Sequence, residues 1–134
     1  ASFPFRSSVY RINQAAYRIT RIPAVTTFAQ FKANVSSDGY QAQLYRGDKM
    51  IKSGNVGTAM TVVYSGADTY TFELSVIGDI TGEGNVNSRD VNELIDYFLG
   101  NIRFDGVYVD AADISDDGSL NMLDLALLCR MAHS

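Results

Sequence analysis

The chain has 134 residues, 46% of them hydrophobic, and a formal net charge of −4, with one cysteine and one histidine. That length can bury a core, and the apolar fraction with eight tyrosines is that of a folded chain. The composition excludes a disulfide framework and a Cys/His zinc site, and no apolar run nears the ~20 residues a membrane helix needs.

No signal-peptide pattern opens the chain. The start "AS", followed at once by a domain-like pattern, is expected of a fragment of a longer protein. Charge is divided unevenly: residues 1–78 hold eight Lys/Arg against four Asp/Glu, and residues 79–134 hold three Arg against eleven Asp/Glu. The positive side is spread without a basic run, which argues against nucleic acid. The acidic half repels itself unless cations bind it.

In chain order, "YRI", "AAYRITRI", "YQAQLY", "AMTVVY" and "TYTFELSVI" read as strands. The turn signals "SSDG", "YRGDK", "SGNVG" and "SGAD" stand between the later ones. One segment breaks the period: in "TTFAQFKANV", Phe28, Phe31 and Val35 space like one face of a short helix that Thr26 or Thr27 can cap. The last strand then runs into "GD" with no Pro- or Ser-rich linker, so the two parts are expected to pack rigidly.

Beyond that strand stand two twelve-residue segments, "DITGEGNVNSRD" (79–90) and "DISDDGSLNMLD" (113–124), starting 34 residues apart. Calcium takes six to eight oxygen ligands, and such a loop supplies them from positions 1, 3, 5, 7, 9 and 12. In the second copy these are Asp113, Ser115, Asp117, Ser119 through its carbonyl, Asn121 and Asp124. In the first they are Asp79, Thr81, Glu83, Asn85, Asn87 and Asp90. Position 6 is Gly84 or Gly118, where the chain must turn sharply around an ion. Position 8 is Val86 or Leu120, apolar and able to point inward. The duplication decides for two calcium sites over two ordinary acidic turns.

Each loop leads into an apolar helical pattern: Val91, Leu94, Ile95 and Phe98 after the first, then Leu125, Leu128, Cys129 and Ala132 after the second. Gly100 ends the first helix, and "NIRFDGVYVDAA" returns the chain through one short helical turn at 109–112. These are loop–helix units without the entering helix of a full EF-hand. Cys129 reads as a small buried apolar residue, and His133, next to the chain end, as solvated.

With this spacing, "GDITGEGNVNSRDVNELIDYFLG" and "ADISDDGSLNMLDLALLCRMA" resemble a dockerin, the calcium-dependent module that plugs components of anaerobic bacterial cellulosomes into cohesin domains. The resemblance covers residues 78 to about 132. Less of the first part is distinctive, but "ITRIPAVTTFAQFKANV" and "NVGTAMTV" are similar to the β-rich X modules that precede some dockerins and are thought to brace them. Thr81 and Glu83 stand where the family more often has Asn or Asp, which implies a weaker or distorted first site. The Ser-Thr and Lys-Arg pairs of many dockerin recognition faces are absent.

The fold class expected is α+β in two small domains. Residues 1–77 form a β-rich, X-module-like domain with one short helix, and residues 78–134 an all-α pair of calcium loop–helix repeats. The resemblance implies a monomer that forms a heterodimer with a cohesin outside the cell, secreted or surface-attached, and no catalytic activity. After the core positions are removed, the first repeat presents only polar residues. The second presents Met122, Leu123, Ala126, Leu127, Arg130 and Met131, an apolar set around one arginine that suits the centre of an interface. The second repeat is therefore expected to dominate binding, although Leu127 and Met131 could instead pack on the β-rich domain.

Three other readings compete. An enzyme lacks its residues here, because no Ser/His/Asp or Cys/His set is present. A calcium sensor needs paired hands with entering helices. A structural calcium module could accompany a carbohydrate- or wall-binding β domain, with Tyr40, Tyr45, Tyr64 and Tyr70 as its platform. Strand alternation explains those tyrosines more simply as packing.

Overall fold

The computed structural model describes residues 4–132. The first strands are β1 (Arg11–Asn13) and β2 (Arg18–Ile22), the second of which buries Ile19 and Ile22 on either side of a register shift. Helix α1 (Phe28–Asn34) follows, because Thr27 caps it: the Thr27 hydroxyl accepts from the Gln30 amide, and the Gln30 side chain accepts from the Thr27 amide in return. Strands β3 (Gln41–Arg46), β4 (Lys49–Ile51), β5 (Thr61–Ser65) and β6 (Thr69–Val76) complete a six-stranded sheet in the order β1-β2-β6-β5-β3-β4. Strands β2 and β6 pair in parallel and every other neighbour is antiparallel.

Alternation along β6 decides what lies on each face of the sheet. Phe72, Leu74 and Val76 are fully buried in one core with Ile19, Ile22, Leu44, Val62 and the helix residues Phe28 and Phe31. Ser75 faces the other way and is buried too, because a helix covers it. That helix is α3 (Val107–Ala112), which packs on β6 and β2 and receives the Ser75 hydroxyl proton at the Val107 carbonyl, 2.9 Å away. Helices α2 (Ser88–Phe98) and α4 (Met122–Ala132) pack on each other over a second core of Ile80, Leu94, Ala112 and Leu128.

The expected fold class is corrected in one respect. Residues 78–134 are not a self-contained all-α pair of loop–helix repeats. The dockerin-like part is built with a strand: β6 runs into its first loop, and α3, longer than the single turn expected, sits on β6 and β2. The physical reason is that α3 has only six residues and lies between two surfaces: its Ala112 joins the second core, while the helix packs on β6 and β2. The sheet is mixed, and β4 begins at Lys49, the last residue of the turn signal "YRGDK", in a stretch from which no strand is expected.

The tyrosines form no platform. Tyr64 is 2% exposed, with burial pushing its phenol above the ordinary range, while Tyr40 and Tyr70 are half-buried and tilted or edge-on to Phe5 at 5.5 and 5.0 Å. Among the described residues no helix is long and apolar enough to cross a membrane. Cys129 is half-buried. His133 lies outside the described residues.

Candidate calcium centres

The 34-residue repeat returns as repeated geometry. In the first loop the Thr81 amide donates to Asp90 Oδ1 at 2.9 Å and the Asn87 amide to Asp90 Oδ2 at 2.9 Å. In the second, the Ser115 amide donates to Asp124 Oδ1 at 3.0 Å and the Asn121 amide to Asp124 Oδ2 at 3.0 Å. The position-6 glycines complete the match: Gly84 donates to Asp79 Oδ2 at 2.8 Å and Gly118 to Asp113 Oδ2 at 3.0 Å. Both adopt positive φ, +88° and +84°, so the turn that points their N–H groups inward is one that side chains resist.

The twelfth residue of each loop has a second task. Asp90 is the third residue of α2, whose N-cap is Asn87, and the Asn121 side chain accepts the Leu123 amide in the same way at the start of α4. Loop closure and helix start are therefore one event. Asp90 and Asp124 are both 0% exposed, which a carboxylate tolerates only when donors or a cation surround it.

The ligand sets differ between the loops. In the second, carboxylate oxygens of Asp113, Asp117 and Asp124 all lie within 4.8 Å of one another. Asp117 is held below the usual carboxylate range, first by the Ser119 amide and then by the Asn121 side chain. With Ser115, Asn121 and the Ser119 carbonyl, this set offers oxygen alone, the donor a hard divalent cation requires. In the first loop Glu83, one methylene longer, turns toward the Thr81 hydroxyl at 3.0 Å and the Arg89 guanidinium at 3.4 Å. Asn85 accepts from Asn87 at 3.4 Å.

The first loop is instead built into the sheet. Asp79 is 0% exposed, and burial pushes its carboxyl upward while amides of Thr58, Gly84 and Glu83 pull it back. The Thr58 amide, from the segment before β5, donates to Asp79 Oδ2 at 3.0 Å, and Val25 donates to the Gly84 carbonyl at 2.9 Å. The second loop is held by side chains: Arg21 reaches the Asp113 and Ile114 carbonyls, and Arg11 pairs with Asp116. Sequence reasoning missed all four of these residues. Only the extra charge of the first half hinted at the arginines.

The expected partner face is partly assembled. Met122 and Leu123 are 60% and 53% exposed, and Ala126 and Arg130 are exposed beside them. Leu127 is half-buried in an apolar depression with Ile114, Arg130 and Met131. Met131 is half-buried, its terminal methyl close to Gly78, as are side-chain methyls of Val86 and Leu128. On the first repeat, Ser88, Arg89 and Asn92 are exposed and polar, whereas Ile95, expected in the core, is 38% exposed.

Residues 77–131 match the family model of the dockerin type I domain, under half of the chain. No curated protein and no solved structure matches the chain. The match supports a dockerin module over these residues; such modules bind cohesin domains and calcium, are non-catalytic, and occur in extracellular cellulosome components.

Proposed function

We propose that this chain is a calcium-dependent docking module that anchors its parent protein to a cohesin of a scaffoldin or cell-surface protein, outside the cell, in a cellulosome-type assembly. Residues 78–134 carry the docking, and residues 1–77, an X-module-like sheet, brace them. The observation that carries the reading is the second loop, whose three carboxylates converge within 4.8 Å on the spacing of a calcium site, and whose closing hydrogen bonds to Asp124 recur at Asp90 in the first.

Two calcium ions are bound. The second loop supplies Asp113, Ser115, Asp117, Ser119, Asn121 and Asp124, and the first supplies Asp79, Thr81, Glu83, Asn85, Asn87 and Asp90, more weakly because Glu83 must leave Arg89 to reach an ion. Calcium offsets the repulsion between carboxylates that would otherwise crowd at each loop. In doing so it fixes the turn that starts α2 or α4, so metal binding becomes folding free energy.

The contact surface is Met122, Leu123 and Leu127 with Ala126 and Arg130, a face of α4 on which Met122 and Leu123 are exposed and Leu127 is half-buried. On the first repeat the matching positions Ser88, Arg89 and Asn92 are polar, and the exposed apolar residues Ile95 and Leu99 lie further along, which supports one binding orientation.

Calorimetric titration against a panel of cohesins, with calcium and then with a chelator, tests the reading. Tight binding to one cohesin, lost on chelation, is the expected result, and no binding across the panel overturns it. Leu123→Asp together with Leu127→Asp is expected to weaken that binding at least about a hundredfold, the scale of an interface hot spot. Leu123→Asp alone, at a half-exposed position, guards against a folding defect.

A further inference from the structure

The second calcium loop is gripped by two arginines from the other end of the chain. Arg21 lies in β2, where the pairing with β6 shifts register between Ile19 and Ile22 and the Arg21 backbone adopts φ +62°. A long side chain enters that region only when its surroundings impose it. The consequence of the shift is directional: Arg21 Nη1 donates to the Asp113 carbonyl at 2.8 Å and Nη2 to the Ile114 carbonyl at 3.0 Å. These are the first two residues of the loop. Arg11, in β1, makes a two-pronged pair with Asp116, at 3.0 Å to Oδ1 and 2.6 Å to Oδ2. Asp116, fourth in the loop, is itself at φ +59°.

We propose that Arg21, assisted by Arg11, is a positioning residue for the second calcium loop: it holds the loop in the form that receives the ion, so calcium affinity there depends on the sheet. This rests on the reading of residues 113–124 as a calcium site. An isolated loop must order its backbone when the ion arrives, and that ordering subtracts from affinity. Here the backbone at positions 1 and 2 is fixed beforehand, and Arg11 neutralises Asp116, the one loop aspartate outside the ligand positions. The first loop is held by backbone amides of Val25 and Thr58 instead, so it is unaffected by changes at Arg21 and serves as an internal reference.

Electrostatics and positioning predict opposite signs, which makes the idea testable. Removing a cation beside a cation site should tighten calcium binding if charge alone matters. Removing a clamp should weaken it. Calcium titration of the full chain by calorimetry is expected to show Arg21→Met about tenfold weaker at one site, with the other unchanged. Arg21→Lys should fall between, because an ammonium lacks the fork that serves two carbonyls. In the calcium-free chain, the Gly118 amide should exchange with solvent faster in Arg21→Met than in the unaltered protein. Arg11→Met, at a side chain 59% exposed, weakens binding less and does not threaten folding.

Unchanged or tighter calcium binding in both methionine variants overturns the clamp while leaving the calcium site intact. Should the unaltered chain take up no calcium at the second loop, with Asp124→Asn leaving its titration unchanged, the reading of the loop falls and the clamp with it.

Discussion

Gly57→Ala is expected to destabilise the protein by about 3 kcal/mol, the upper end of overpacking costs. A Cβ at that position would lie 2.3 Å from the Gly82 carbonyl oxygen, 3.0 Å from its carbon and 3.2 Å from the Gly84 nitrogen. All three are backbone atoms of the first loop, so no side chain can swing aside. The reverse contacts are less close but still too tight for a Cβ: one on Gly82 would meet the Thr58 carbonyl oxygen at 2.9 Å, and one on Gly84 would meet the Val56 carbonyl oxygen at 2.9 Å. The segment before β5 and the first loop therefore touch main chain to main chain. Pushing them apart also strains the Thr58-to-Asp79 hydrogen bond, which would leave a buried carboxylate short of a donor. Scanning calorimetry should show the melting temperature falling by roughly 10 °C. A change within about 0.5 kcal/mol, as for an ordinary surface substitution, would show that the two segments are not packed this way.

Asp124→Asn should abolish calcium binding at the second loop, together with the stability that the ion supplies. At free calcium a thousandfold above its dissociation constant, one site adds about 4 kcal/mol. Asp124 is fully buried, and its oxygens accept three bonds, from the Ser115 amide, the Ser115 hydroxyl and the Asn121 amide. An asparagine presents one acceptor and one donor there, so at least one inward-pointing N–H loses its partner. Paired melts in calcium and in chelator measure the effect. The unaltered chain should lose stabilisation from both sites on chelation, and the variant only the share of the first loop. Two calcium ions still titrating in Asp124→Asn would show that the ligands lie elsewhere. Loss of cohesin affinity in the same variant would tie the ion to the docking face, because Asn121 and Asp124 set where α4 begins.

The sequence by itself determined what is local. The two twelve-residue loops repeat their position-6 glycine, their closing aspartate and the helix they start at a fixed spacing, so their backbone geometry was legible from residue types alone. The same holds for α1, where Phe28, Phe31 and Val35 recur at helical spacing behind Thr26 and Thr27, and for the strands whose apolar residues alternate. Strand β4 was not legible: Lys49 and Met50 are exposed, and three residues show no period. Helix α3 was half-read, because its apolar side is defined by β6 and β2 and not by its own repeat.

Tertiary structure alone decided how the halves meet. Ile19 pairs with Leu74 in parallel, Arg21 meets a carbonyl 92 positions further on, and Thr58 donates to Asp79 across 21 residues. No periodicity carries such information, since these contacts arise from strand order and from one register shift in β2. That is why the arginines, only scattered charge in the sequence, became bonding partners of the second loop. It is also why the expected all-α description of the second part gave way: the surface that α3 packs on exists only once β2 and β6 lie side by side.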